Sequence, residues 1–271
     1  MAVVRTESLR LAPAVAYRGT FAPTAAEPKS TGELPPGWEG IYFPFDAALA
    51  ELRPDGSPAD DGVLPVIDLP RRMYAGEDTV FHRPLAYDDV VEQRVQAGAI
   101  VDKQGRGGRL VFADVERSYL VDGELAVSSV WHDVFLEAAK PGAVAKPPAP
   151  APDVEWSWTE SLTLDSRQLF RFSALTFNTH LVHYNRDWAR NVEGLQNLLV
   201  HGPLVRMLLL DFAVRSQPDA CPRSFSIQMQ APVFVDTEVR LVGCATDTGS
   251  EVLVLDSEDR VLARGVVTAS S

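Results

Sequence analysis

Cysteine is nearly missing from this chain, with only Cys221 and Cys244 in 271 residues. Two are too few for a disulfide framework or a structural zinc site, so inert thiols in a reducing compartment are expected. Positive charge is also scarce: 25 Lys and Arg stand against 37 Asp and Glu, a formal net charge of −12. That balance excludes non-specific nucleic-acid binding and makes an acidic membrane surface a poor partner. An anionic ligand would need a local cluster of Arg or Lys set against the overall field. Long apolar runs are absent too. The longest, residues 198–214, is broken by His201, Arg206 and Asp211, so nothing is expected to span a membrane. The first residues carry Glu7 and no continuous apolar segment, so no secretory leader is expected and a cytoplasmic protein is.

Apolar residues make up 46% of the chain, enough for a sizeable core in one large or two medium domains. Residues 1–37 are rich in Ala, Pro, Thr and Glu and predict a surface-draped arm with a short helix near 7–11. From Trp38 to Leu52, apolar side chains recur at helical spacing across Pro44, and Arg53-Pro54-Asp55-Gly56 closes the segment with turn chemistry. Alternating strands follow at 90–101, 110–121 and 124–136, the last two joined by the Asp122-Gly123 hairpin signal. Residues 140–152 read as an extended Pro/Ala linker. Beyond it, strands at 154–164, 224–233, 237–245, 251–255 and 261–268 surround an apolar helix.

Two local echoes suggest duplication. Arg83-Pro84-Leu85-Ala86-Tyr87-Asp88 resembles Ala231-Pro232-Val233-Phe234-Val235-Asp236, and Glu124-Leu125-Ala126 resembles Val261-Leu262-Ala263. The fold expected is therefore α+β, a double hotdog of two antiparallel sheets, each wrapped around a central helix. Its units would be residues 1–139, a linker 140–152, and residues 153–271.

Three of the five histidines, His180, His183 and His201, lie in one stretch that begins with Asn178 and runs through Gly202-Pro203 into a strongly apolar helix. Polar side chains at a helix entrance sit beside free backbone N–H groups and the positive end of the helix dipole, which suits a catalytic site. His82 and His132, placed in strands, read as structural. A three-histidine metal site would lack an accompanying Asp, Glu or Cys at ligand spacing, so neither metal nor cofactor is expected.

The stretch Thr176-Phe177-Asn178-Thr179-His180-Leu181-Val182-His183-Tyr184-Asn185, with His201-Gly202 behind it, resembles the hydratase motif of MaoC-like, R-specific enoyl-CoA hydratases and dehydratases. It is nearest to their mesaconyl-type branch, whose first unit is also similar to Leu69–Gly76 and Phe81–Leu85 here. The resemblance implies His183 as the catalytic histidine and Asn178 where the broader family has aspartate. It implies the Gly202 N–H as the donor to the thioester oxygen. An amide cannot act as a base, so acid–base work would fall on His183 while Asn178 orients. Leu181 stands where that branch has arginine and Asn185 where it has aspartate, so the resemblance carries the reaction class more firmly than it carries a dicarboxylic acyl group.

His180 and His201 are candidate substrate contacts, although His180 could instead satisfy a buried backbone group. Arg71 and Arg72 either hold CoA phosphates or form a solvated loop pair. The expected substrate is an acyl-CoA, or an acyl group on a carrier protein. Carrier proteins are usually acidic, which against a −12 chain favours CoA. The plan is compatible with a homodimer of double hotdogs. Two rival functions remain: a hotdog thioesterase using Asp187 or Glu193, and a non-catalytic acyl-CoA binder.

Overall fold

The computed structural model describes residues 2–29, 31–105, 108–138 and 147–270. Its elements run β1 (Val3–Ser8), α1 (Leu11–Phe21), β2 (Arg71–Phe81), β3 (Val90–Gly105), β4 (Gly108–Val121), β5 (Glu124–Leu136), β6 (Trp158–Leu162), α2 (Ser166–Thr176), α3 (Arg186–Asn191), α4 (Gly202–Ser216), β7 (Cys221–Met229), β8 (Val239–Thr246), β9 (Gly249–Leu255) and β10 (Val261–Ser270). The strands form one ten-stranded sheet ordered β1-β3-β4-β5-β2-β7-β10-β9-β8-β6, with every described pairing antiparallel. Read inward from either edge, the two halves follow the same plan. β2 and β7 join them, and Asp78 pairs with Ser226 between the halves. The repeated segments behave alike: Asp88 and Asp236, which close the two echoes, both adopt left-handed backbone.

α4 lies against β2, β7, β8, β9 and β10, and it is buried almost throughout, from Leu204 to Ala213. One ion cluster ties it to the first half. Arg206, 2% exposed, reaches Glu39 at 2.9 Å, Glu77 at 3.3 Å and the Thr79 hydroxyl at 2.9 Å. Asp211 on the same helix accepts from Trp38 Nε1 (2.8 Å) and the Tyr17 hydroxyl (3.1 Å).

Several sequence expectations change here. Residues 3–21 are not draped: β1 pairs with β3, and α1 buries Ala14 and Tyr17. Pro13 is tolerated because it sits in the first turn of α1, where its missing N–H has no intrahelical partner. The helix expected over 38–52 is replaced by two 3-10 turns, Trp38–Ile41 and Leu49–Glu51. Phe43 takes left-handed backbone and Pro44 lacks a donor, so the helix cannot continue. β2 carries Arg71, Arg72, Glu77 and Asp78, yet it lies at the centre of the sheet because Arg206 matches its buried Glu77 and Thr79. Of the expected linker, residues 140–146 lie outside the described residues. Within the remainder, the Ala151 amide donates to Asp259 O at 2.7 Å.

Candidate functional site

The site is built on the segment that breaks α2. Asp165 caps the start of α2 by accepting from the amides of Arg167 and Gln168, while the Gln168 side chain returns to the Asp165 amide. The helix ends at Phe177 in left-handed backbone. Asn178 then bonds back through its amide to Ser173 O (2.8 Å), and its Oδ1 accepts from the His180 amide (3.0 Å). Leu181–His183 forms a single 3-10 turn, which delivers His183 inward and leaves Tyr184 exposed.

A turn from the first half clamps this segment. The Leu181 amide donates to Asp55 O (2.7 Å), and Thr179 Oγ1 donates to Gly56 O (2.7 Å). A Cβ at Gly56 would lie 2.0 Å from Thr179 O, and its φ is +82°, so only glycine allows this approach. Asp55 also places a carboxylate 3.9 Å from His180 Nε2.

His183 is 6% exposed and donates through Nδ1 to Leu199 O at 2.7 Å, an assignment that leaves Nε2 as a bare acceptor. Its ring stacks on that of His201, with centroids 3.6 Å apart, and meets His180 edge-on at 5.5 Å. His201 is fully buried, with Nε2 bonded to Ser173 Oγ (2.9 Å) and Nδ1 without a partner among the described residues. Burial, with the neighbouring imidazole of His180, pushes His183 down to about 3. His201 is driven well below its usual value by burial and by His183. Burial also lowers His180, partly opposed by Asp55. All three rings are therefore neutral near pH 7.

Gly202 opens α4, with His201 as its N-cap and Pro203 following. Its N–H is at the first helical position and has no intrahelical acceptor. The Tyr74 ring lies so close that a Cβ on Gly202 would be 2.3 Å from Tyr74 Cδ1. Asn178, His180, His183 and Gly202 all line one cavity of about 330 Å³, walled also by Tyr74, Trp131 and Asp133 from the first half. His201 stands behind His183 and does not line it.

Arg71 and Arg72 reach the same cavity, but each already holds carboxylates. Arg71 Nε donates to Glu193 at 2.9 Å, and Arg72 binds Asp61 at 2.6 Å and Asp133 at 2.8 Å. A phosphate would have to displace those partners. Glu193 lines the cavity within its arginine pair, whereas Asp187 is exposed on α3. His132 sits between Asp114 (2.8 Å) and Asp78 (3.2 Å), and His82 bonds Ser128 (2.9 Å). No group of three or more His, Cys, Asp and Glu among the described residues is arranged to hold a metal ion. Sequence reasoning missed Asp55, Tyr74 and Trp131. The Arg53–Gly56 turn was visible, but nothing local showed that it docks on Asn178–Leu181.

The family model for hydroxyacyl-thioester dehydratase type 2 matches residues 37–235. The chain is 37% identical over 244 residues to a mesaconyl-C(4)-CoA hydratase of Chloroflexus aurantiacus, covering 88% of this chain and 86% of that one. Among solved structures, HtdX of Mycobacterium tuberculosis superposes with a TM-score of 0.69 at 17% identity, over 99% of each chain. A second M. tuberculosis protein, with a double hotdog fold, superposes at 0.58 and 16% identity, over 99% of this chain and 95% of that one. At those identities the likeness establishes the fold, a double hotdog. No helix among the described residues is long and apolar enough to cross a membrane.

Proposed function

The chain belongs to the hydroxyacyl-thioester dehydratase type 2 family, and from that premise we propose that His183, Asn178 and Gly202 carry out its hydro-lyase reaction on a CoA-linked acyl group. The reaction is the reversible hydration of a 2-enoyl thioester to the 3-hydroxyacyl thioester. The observation that carries the assignment is geometric. An imidazole anchored through Nδ1, an amide side chain and a helix-entrance N–H line one cavity.

In the hydration direction, the Asn178 amide NH₂ orients a water molecule, since its Oδ1 is already occupied by the His180 amide. As the water oxygen bonds to Cβ, a water proton passes to His183 Nε2. The π pair moves toward the carbonyl, and the Gly202 N–H donates to the enolate oxygen. His183 then returns the proton to Cα. The bond from His183 Nδ1 to Leu199 O fixes the tautomer this requires and gains strength while the ring is charged. His201, braced by Ser173, supports the His183 ring by stacking.

CoA is favoured as the carrier by the acidic chain and by the CoA-linked substrate in the relative's name. The same reading puts the protein in the cytoplasm, with no nucleic-acid or membrane partner and with a homodimer as a compatible assembly. It divides the chain into units 1–139 and 153–271 across a linker at 140–152. Following the ultraviolet absorbance of a conjugated enoyl-CoA, with free thiol measured in parallel, tests the reaction. Absorbance loss without thiol release is expected. Thiol release would mean hydrolysis, and silence in both signals would mean a binder; either result overturns the proposal.

A further inference from the structure

The first half of the chain keeps a counterpart of the histidine-lined cavity, and backbone bonds fix which residues correspond. In the second half, the Val200 amide donates to Val233 O (2.8 Å) and the Val235 amide to Leu198 O (3.2 Å). The Gln230 and Ala231 amides there share Leu262 O (2.8 and 3.1 Å). In the first half, the Leu34 amide donates to Leu85 O (2.7 Å) and the Tyr87 amide to Gly32 O (3.1 Å). The His82 and Arg83 amides share Ala126 O (2.9 and 3.2 Å). Leu34 therefore matches Val200, which puts Pro35-Pro36 in the places of His201-Gly202 and Arg83 in the place of Ala231. The matched segments wall two cavities that share no lining residue. Residues 229–233 line the one beside the histidines, and residues 81–85 line another of about 440 Å³ at the opposite end of the β2–β7 join.

The chemistry of the two differs. Pro36 has no N–H to offer a thioester oxygen, and Pro35 replaces an imidazole, so the first-half cavity cannot repeat the reaction. Its histidine, His82, is bonded to Ser128. What it has instead is a cation. Arg83 Nη2 donates to Val121 O at 3.2 Å, its Nε is buried without a partner, and it has no ion pair among the described residues. The buried carboxylate there, Glu39, is held by Arg206 at 2.9 Å, and Glu33 is exposed. Arg223 adds a second guanidinium, its Nε on Ser270 Oγ at 3.2 Å. Leu34, Pro36, Phe81, Leu85, Val127 and Val214 supply apolar wall. Native interiors rarely leave a guanidinium so poorly matched, and a carboxylate is the acceptor its fork fits best. The volume lies within the range of about 300–1,000 Å³ usual for small-molecule sites.

We propose that this cavity is a second, non-catalytic ligand site for a small amphipathic monocarboxylate, taken as the free acid, with its carboxylate on Arg83 and its chain along Leu34, Phe81, Leu85 and Val127. α4 runs from Gly202 at the catalytic cavity to Val214 at this one, so the two ligands rest on opposite ends of the same helix.

Octanoate and octan-1-ol share a chain and differ in carrying a carboxylate or a neutral hydroxyl. Titration calorimetry on the full chain should show octanoate binding about 10-fold or more tighter than the alcohol. Arg83→Met should remove that preference and leave kcat for enoyl-CoA hydration unchanged, and Arg83→Lys should keep part of the preference. No binding of octanoate at millimolar concentration overturns the proposal. Octanoate that binds Arg83→Met as tightly as wild type and competes with enoyl-CoA sits in the catalytic cavity, which also overturns it. Should the variants fail to fold, Cys221 decides, since it is exposed and lines the first-half cavity. In a Cys244→Ser background octanoate should slow the reaction of Cys221 with a thiol reagent several-fold, and an unchanged rate is the overturning result. Neither binding measurement depends on the hydration reaction, so the two assignments fail separately.

Discussion

Gly202→Ala puts one methyl group where the structure has no room. The added Cβ would lie 2.3 Å from Tyr74 Cδ1, 2.9 Å from Cγ and 3.1 Å from Cβ. Carbon atoms rest at about 3.5–4.0 Å, so either Tyr74 or the first turn of α4 must shift by roughly 1 Å. Tyr74 resists, because its hydroxyl bonds Glu77 at 3.2 Å and its ring packs on Trp131. Overpacking of this kind costs about 1–3 kcal/mol of stability. The catalytic cost should be larger in proportion, because alanine keeps the N–H but moves it. An oxyanion donor misplaced by about 1 Å is worth on the order of 10²-fold in rate. A urea titration with kcat for enoyl-CoA hydration separates the two effects. The expected result is a folded protein with kcat down about 10²-fold, and Tyr74→Ala in the same background should recover part of the loss by restoring room. A Gly202→Ala variant with normal kcat would refute the placement of the oxyanion donor at the entrance of α4.

Further outcomes follow from charge and burial. Because His183 is pushed down to about 3 in the free protein, kcat/KM for hydration should be level between about pH 5 and pH 8; an acid limb near pH 6.5 would contradict it. Stability has its own pH dependence. Unfolded histidines protonate near about 6.5 while His183 and His201 stay neutral when folded, so the unfolded state binds more protons below that pH. Stability should be full above about pH 6.5 and fall at about 1.4 kcal/mol per pH unit per buried histidine as pH drops, and His201→Gln should flatten the slope by one histidine's share. The neighbouring arginines should separate as well. Arg72→Ala strands Asp61 and Asp133 and should cost about 3 kcal/mol in urea titrations, whereas Arg71→Ala should raise KM for a CoA thioester more than for a pantetheine thioester. Equal KM effects on both carriers would remove a phosphate role for Arg71.

The strands of the second half and the β3–β5 meander were legible because their alternation is local and one face is buried. The duplication was legible as well: the repeated segments ending at Asp88 and Asp236 do occupy matching places beside β2 and β7. What escaped was set by long-range pairing. β2 reads as polar because Glu77 and Thr79 serve Arg206, which is more than a hundred residues away. α1 hides behind Pro13, and the burial of Tyr17 depends on Asp211 in α4. At the site, the histidines and Gly202 could be read as a motif, since they lie within one stretch. Tyr74 and Trp131 could not, because hydrophobic alternation does not reveal which strand residues will meet a helix entrance across the sheet.

Comparing His183→Ala with Asn178→Ala in steady-state hydration of an enoyl-CoA tests the central assignment most directly. If His183 exchanges the proton and Asn178 only orients water, His183→Ala should lower kcat by about 10²–10⁴ with KM little changed, and Asn178→Ala should cost clearly less. A His183→Ala protein that keeps near-normal turnover, or an Asn178→Ala protein that proves the more damaged, would contradict the account.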